Sequence, residues 1–308
     1  MDNKKTFNEL VALWQNDKKQ YVKRSTYAAY SLLINKHLID AFGDSSDITE
    51  EDVQKFVLGK LEQGLSQKTV KDILIVLKMI LRFGVKNKWL EYHPIDVCFP
   101  TDRERHDVVT LNISDQRKVM AYLKSNFTCM NFGIYICLSS GLRIGEVCAL
   151  TWNDLDVDGG VIRVSKTIQR IYLFDNACRR TEVVIDTPKS KNSIREVPMT
   201  KELMQMIRPL KRVVNGSYFV LTNGEHPVEP RTYRNYYKNL MIKLGMPPIK
   251  FHGLRHSFAT RCIESHCDYK TVSVLLGHSD ISTTLNLYVH PNMEQKKKCV
   301  EQMSKFFR

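Results

Sequence analysis

A chain of 308 residues with 43% hydrophobic and 26% charged side chains can bury a full core in about two domains, which excludes disordered and fibrous architectures. Its 46 Lys and Arg against 33 Asp and Glu leave a net charge of +13, a field that attracts polyanions; a merely solvated basic surface is the alternative on charge alone. The longest apolar runs, such as residues 73–77 and 134–138, fall far short of the ~18 to 20 residues of a membrane-spanning helix, so no membrane partner is expected.

In chain order, the amino terminus has charges with no apolar stretch behind them and no small-residue cleavage site, so no secretory signal is expected. Phe7, Leu10, Val11 and Trp14 recur at helical spacing and predict a first helix. Tyr27, Tyr30, Leu33 and Ile34 predict a second. Thr49 with Asp52 resembles a capping box opening a third, with Val53, Phe56, Val57 and Leu61 on one face and Gly64 as its stop. Ser66 then caps a fourth, whose stripe is Val70, Ile73, Leu74, Leu77 and Leu81. Together these make a small helical bundle over residues 1–95. The next stretch, 96–108, is charged and aperiodic with a proline on either side of its start, and reads as a linker. A second domain, 109–290, is expected to be helical over 114–138, to form strands over 161–167, 181–186 and 194–197, and to return to helix from Pro230. The fold class is therefore mainly α with a small β-sheet, an α+β chain with a helical amino-terminal bundle and a mixed second domain.

The charge is unevenly placed. Residues 1–100 carry 15 basic and 13 acidic side chains, so most of the excess lies in the second part, which would grip phosphate most firmly. The eight cysteines show neither paired metal-ligand spacing nor a dense disulfide framework and read as reduced core thiols. Two His and two Cys over residues 256–267 are too irregularly spaced on one helix to wrap an ion, and Asp154, Asp156 and Asp158 occupy a glycine-flanked loop with no partner motif. No metal and no cofactor are expected.

Four segments of the second domain hold polar residues that a core does not need. In residues 139–152, Gly141 breaks one helix and Arg143 stands at the turn into the next, which Ile144, Val147 and Leu150 anchor. In residues 187–198 a Lys-rich turn joins two predicted strands and projects a flexible cation. His252 and Arg255, three apart at a helix start, share a face. His278 follows a Gly turn, and Tyr288 comes ten residues later.

These boxes, residues 140–146 (S-G-L-R-I-G-E), 252–256 (H-G-L-R-H) and 276–288 (L-G-H followed by Tyr), stand in family order, and the chain resembles a tyrosine recombinase of the phage and transposon integrase family. The resemblance spans both domains. It implies a SAM-like core-binding bundle, a catalytic domain, and a carboxy-terminal tail over 291–308 that offers Met293, Val300, Met303, Phe306 and Phe307 to a neighbouring subunit. It implies a catalytic set of Arg143, Lys189, His252, Arg255, His278 and the nucleophile Tyr288. Lys189, which follows Pro188 nine residues before Pro198, fits the family's hairpin better than Lys191 on the same turn. The implied partners are double-stranded DNA with a specific recombination site, a homotetramer on synapsed DNA, and an accessory directionality factor. With about 20 residues ahead of the second predicted helix, no separate arm-binding domain is expected. The implied location is cytoplasmic, with the nucleoid.

The chemistry of the residues agrees. A phosphodiester attacked by a phenol gathers negative charge on its non-bridging oxygens, which the planar guanidinium groups of Arg143 and Arg255 suit. An imidazole near neutrality, His252, can take the phenol proton, and a lysine among other cations, Lys189, can give one to the leaving 5′ oxygen. His278 is expected to hydrogen-bond a phosphate oxygen and Glu146 to orient its neighbours. Arg231, Arg234 and Lys238 interleave with Tyr233, Tyr236 and Tyr237 on one predicted helix, which places cations on DNA phosphates while rings pack inward; Lys191 would add another cation. Lys296–Lys298 can be a plain solvated face. The expected activity is site-specific strand exchange through a 3′-phosphotyrosine and a Holliday junction. Two alternatives share the fold or the chemistry: a type IB topoisomerase that only nicks and reseals, and a DNA-binding regulator without catalysis.

Overall fold

The computed structural model describes residues 4–101, 109–175, 178–188, 191–288, 293–305 and 307, except for the side chains of 174–175, 178–179, 191, 287–288, 294–296, 298–299 and 302. The chain divides into two compact units, Met1–Arg105 with Ile171–Glu182, and His106–Arg170 with Val183–Arg308.

In the first unit α1 (Phe7–Lys18) begins at a capping box between Thr6 and Glu9 and buries Phe7, Leu10, Val11 and Trp14, the expected face. The second predicted helix is α2 (Arg24–Leu33), which runs through a π segment, Ile34–Leu38, into α3 (Ile39–Phe42). Its inner face is wider than the expected one: Ile34 is fully buried and Tyr30 and Leu33 pack half-buried on the core, as expected, but Ser25, Ala28 and Ser31 are buried too, and Tyr27 is only half-buried. Small residues let the backbone of α2 approach its neighbours, and the wider π turn then rotates Ile34, His37 and Leu38 inward. Thr49 and Asp52 form the reciprocal capping box that opens α4 (Glu50–Glu62), and Ser66 caps α5 (Gln67–Lys86), which buries Val70, Ile73, Leu74, Leu77 and Ile80. Within this unit Arg24 also pairs with Glu182 at 2.6 Å. The described part of the expected linker is tied down rather than free. Ile95, Val97 and Phe99 pack on the first core, and Gln54 accepts from the Cys98 N–H at 2.8 Å.

In the second unit the expected helix over 114–138 is two helices, α6 (Ile113–Ser125) and α7 (Cys129–Ser140). The break falls where Thr128 accepts from the Asn131 N–H and so caps a new helix. After α8 (Ile144–Ala149) come β1 (Leu155–Asp156) and β2 (Val161–Val164), which with β5 (Arg195–Pro198) form an antiparallel sheet in the order β1-β2-β5. The expected strand over 161–167 ends at Val164, and Thr167 instead opens β3 (Thr167–Asp175), which pairs with β4 (Cys178–Asp186) in a separate two-stranded sheet, of which residues 171–182 belong to the first unit. The amphipathic α9 (Lys201–Leu210) lay in no expected element. The chain continues through α10 (Pro230–Lys243), α11 (His252–Glu264), α12 (Tyr269–Leu276), α13 (Ser282–Tyr288) and α14 (Met293–Lys305). The core of this unit gathers on α7, buried nearly throughout, with Phe132 stacked on Trp152 and Tyr233 of α10 fully buried.

The fold is thus mainly helical with small antiparallel sheets, as expected. No helix among the described residues is long and apolar enough to cross a membrane. Among the described cysteines, Cys137 and Cys148 are buried as expected and Cys129 and Cys262 half-buried, whereas Cys98 and Cys267 depart from the expectation of core thiols and are exposed, because a loop and a helix end carry them; the side chains of Cys178 and Cys299 lie outside the described residues.

Candidate active site

The geometry begins at the end of a helix. α12 closes with Gly277 in the left-handed region at φ +64, with Gly277 N–H donating to Val274 and His278 N–H to Ser273. That Schellman turn leaves the carbonyls of Leu275, Leu276 and Gly277 without helical donors. An arginine donates to each: Arg195 Nε to Leu275 at 2.6 Å, Arg255 Nη2 to Leu276, and Arg143 Nη2 to Gly277 at 3.2 Å. The negative end of the helix dipole favours cations there.

Each guanidinium is held from a second side. Arg143 opens α8, where its backbone N–H donates to Glu146 Oε2 at 2.9 Å and its Nη1 to Oε1 at 2.8 Å. Arg195 grips the same carboxylate with Nη1 and Nη2, at 3.1 and 3.0 Å. Glu146 and the Arg195 side chain are 2% and 5% exposed, so this ion pair lies away from solvent. Burial pushes the Glu146 carboxyl upward, but the hydrogen bonds and charges of Arg195, then of Arg143, overcome it and hold the group below its ordinary value. Arg255, 2% exposed on α11, donates Nη1 to the Gly141 carbonyl at 2.8 Å, so Gly141, left-handed at φ +67, ends α7 with its oxygen turned to the arginine.

Imidazoles stand within this cationic field. His252 opens α11, its ring 4.6 Å from that of His256 and nearly perpendicular to it. Desolvation, then the charges of His256, Arg255 and Arg143, lower His252 to about 4, below the near-neutral value expected of it, although the residue is exposed. His278 follows α12; burial, then Arg255 and Arg143, bring it to about 4, and its Nδ1 shares a 2.8 Å hydrogen bond with the buried Thr284 hydroxyl of α13. His256 is lowered by burial and by Arg255. All three rings are therefore neutral at pH 7, where they can accept a proton or hydrogen-bond an anion.

Arg143, Glu146, His252, Arg255 and His278, distant in sequence, are brought together here. Tyr288 is the last residue of α13, with its side chain outside the described residues. Lys189 lies outside them as well, as does the Lys191 side chain; the described turn Lys191–Ser193 sets the Asn192 carbonyl against Gly277. On α10, Arg231, Arg234 and Lys238 are exposed while Tyr233 and Tyr237 are buried and Tyr236 half-buried. Arg234 and Lys238 share with His252 the wall of a cavity of about 480 Å³. Among the described residues no three His, Cys, Asp or Glu side chains are grouped as metal ligands. Asp154 caps Thr151, and Asp156 pairs with Arg163.

Sequence reasoning passed over Arg195, His256 and Thr284. Arg195 did leave a trace. In β5 it shares the inward register with buried Val197, and a cation on the core side of a strand needs a partner.

Comparison with known proteins accords with this architecture. The phage integrase family model matches residues 110–295, and that of the phage integrase N-terminal SAM-like domain matches residues 6–61. The chain is 29% identical to a tyrosine recombinase XerC-like protein of Caldanaerobacter subterraneus subsp. tengcongensis, over 83% of this chain and 70% of that one. It is 26% identical to the transposase from transposon Tn916 of Enterococcus faecalis, over 94% and 76%. Its fold is similar to the Tn1549 transposon integrase in complex with transposon right end DNA, at a TM-score of 0.76, 25% identity, and coverage of 97% and 100%. The chain therefore belongs to the phage integrase family: it is a tyrosine recombinase, an enzyme that cleaves and rejoins DNA strands.

Proposed function

We propose that this recombinase exchanges strands at a specific DNA site through a 3′-phosphotyrosine. The Tyr288 hydroxyl attacks the scissile phosphorus, the phosphorus–O5′ bond breaks, and the 3′ end becomes esterified to the phenol. His252, neutral in the free enzyme, takes the phenol proton, and Lys189 gives one to the departing 5′ oxygen. Arg143 and Arg255 bind the non-bridging oxygens as their charge grows, His278 hydrogen-bonds one of them, and Glu146 orients the Arg143 guanidinium. One phosphoester replaces another, so an incoming 5′ hydroxyl reverses the step without an external energy source. Arg231, Arg234, Lys238 and Lys191 hold flanking phosphates.

The supporting observation is the convergence of Arg143, Arg255 and two neutral imidazoles about the end of one helix, in the part of the chain that matches the integrase family. At the next level, residues 1–95 form the core-binding domain, 96–108 the linker, 109–290 the catalytic domain, and 291–308 the tail that docks on a neighbouring subunit. Met293, Val300 and Met303, exposed on α14, supply apolar surface for that contact. The assembly is a homotetramer that synapses two duplexes and passes through a Holliday junction, with an accessory factor setting direction. A lambda integrase tetramer bound to a Holliday junction shares the fold at a TM-score of 0.65 and 16% identity.

A nicked suicide substrate bearing the recombination site tests the chemistry. The native chain should accumulate a Tyr288-linked adduct, and Tyr288→Phe should bind DNA equally well and form none. Arg143→Ala should lose transition-state stabilisation of about 3 kcal/mol or more. Cleavage by Tyr288→Phe would show that another residue is the nucleophile. Holliday junctions in a mobility assay separate recombination from nicking and resealing.

A further inference from the structure

The helix carrying His252 and Arg255 ends in a Schellman turn of its own. His266 N–H donates to Ile263 and Cys267 N–H to Cys262, both at 3.0 Å, and His266 takes the left-handed conformation at φ 59. A six-to-one bond of this kind draws the side chains of its first and last residues together, a contact that is normally apolar. Here both are thiols. Cys262 is half-buried on α11, and Cys267 is exposed just beyond it, joined to it through the Cys267 N–H.

We propose that Cys262 and Cys267 are a redox-active pair that closes to an intramolecular disulfide by exchange with a low-molecular-weight disulfide. Exposed Cys267, as thiolate, attacks one sulfur of the small disulfide, forming a mixed disulfide and releasing one small thiol. Cys262 then loses its proton and attacks Cys267 Sγ, forming the internal bond and expelling the second small thiol. Two protein thiols are oxidised by two electrons, and the small disulfide is reduced to two thiols that carry the two protons. The order follows from the surroundings. Burial, then the neighbouring Cys267, pushes the Cys262 thiol up to about 11, so it stays protonated at neutral pH and acts second. The bridge would clamp the turn between α11 and α12, whose far end holds the three arginines, without touching any of those arginines.

Trypsin cuts after Arg261 and Lys270, leaving both cysteines on one peptide, residues 262–270. The full chain is incubated with oxidised glutathione, alkylated with N-ethylmaleimide, digested and weighed. The expected peptide is unalkylated and lighter by two hydrogens, and dithiothreitol before alkylation restores two labels. Cys262→Ser should instead keep a glutathione adduct on Cys267, while Cys267→Ser should yield no bridged peptide. Persistent glutathionylation of Cys267 on the native chain, or two alkylated thiols after oxidation, would overturn the proposal. Buried Cys137 and Cys148 serve as internal controls that stay unmodified in the folded chain.

Discussion

At the scale of single residues, the site depends on one carboxylate shared by two arginines. Glu146 takes four hydrogen bonds, two from Arg195 and two from Arg143, one of them from backbone. Removing one partner of a buried pair leaves the other charge desolvated and uncompensated, which costs about 3 to 5 kcal/mol. Glu146→Ala should therefore lower the free energy of unfolding by that order in urea titration. Glu146→Gln, which keeps an acceptor oxygen, should lose less. A loss under about 1 kcal/mol for the alanine variant would mean that the Leu275 and Ser193 carbonyls satisfy Arg195 unaided. The same network explains why Arg143 is presented at a fixed point: backbone and side chain of one residue are both tied to the carboxylate three positions on.

At the scale of elements, the end of α12 is the hub, because a helix C-terminus combines unpaired carbonyls with a dipole that attracts cations. Gly277 permits it. A β-carbon there would be strained at φ +64 and would stand 2.8 Å from the Asn192 carbonyl, whereas one at Gly64, left-handed at φ +83, would meet nothing within 4 Å. Gly64→Ala should thus cost only the conformational penalty, about 1 kcal/mol. Gly277→Ala should cost more in thermal unfolding and should also depress strand cleavage, since it displaces the acceptor of Arg143. Equal losses at the two positions would deny the close contact its role. The short α8 illustrates the complementary case, a helix opened by the arginine that its own third residue holds.

At the scale of the whole molecule, the charge of +13 should govern how the chain meets DNA. Each phosphate neutralised releases condensed counterion, and log K falls with log salt by about 0.9 per contact on duplex DNA. Binding measured between low and physiological salt should show a steep slope. Arg234→Ala with Lys238→Ala should reduce that slope by about 2 while leaving the unfolding free energy nearly unchanged, since both side chains are exposed. A slope indifferent to these two cations would move the phosphate contacts away from α10.

Local signals in the chain determined much of this. Capping boxes at Thr49, the apolar stripes of α1 and α5, and the three short motifs were legible because helix periodicity, caps and turn residues act within a few positions along the chain. The small-residue part of the inner face of α2 was not, because a close approach by Ser25, Ala28 and Ser31 depends on what packs opposite. Nor was the break at Thr128, where a capping hydroxyl outweighed a continuous apolar pattern. Arg195 belongs to the same class: only the meeting of β5 with α8 and α12 supplies Glu146 and the Leu275 carbonyl as its partners. Residue identity set which groups were available for chemistry, and the tertiary fold decided which of them share a buried charge, because desolvation and pairing exist only once distant segments have met.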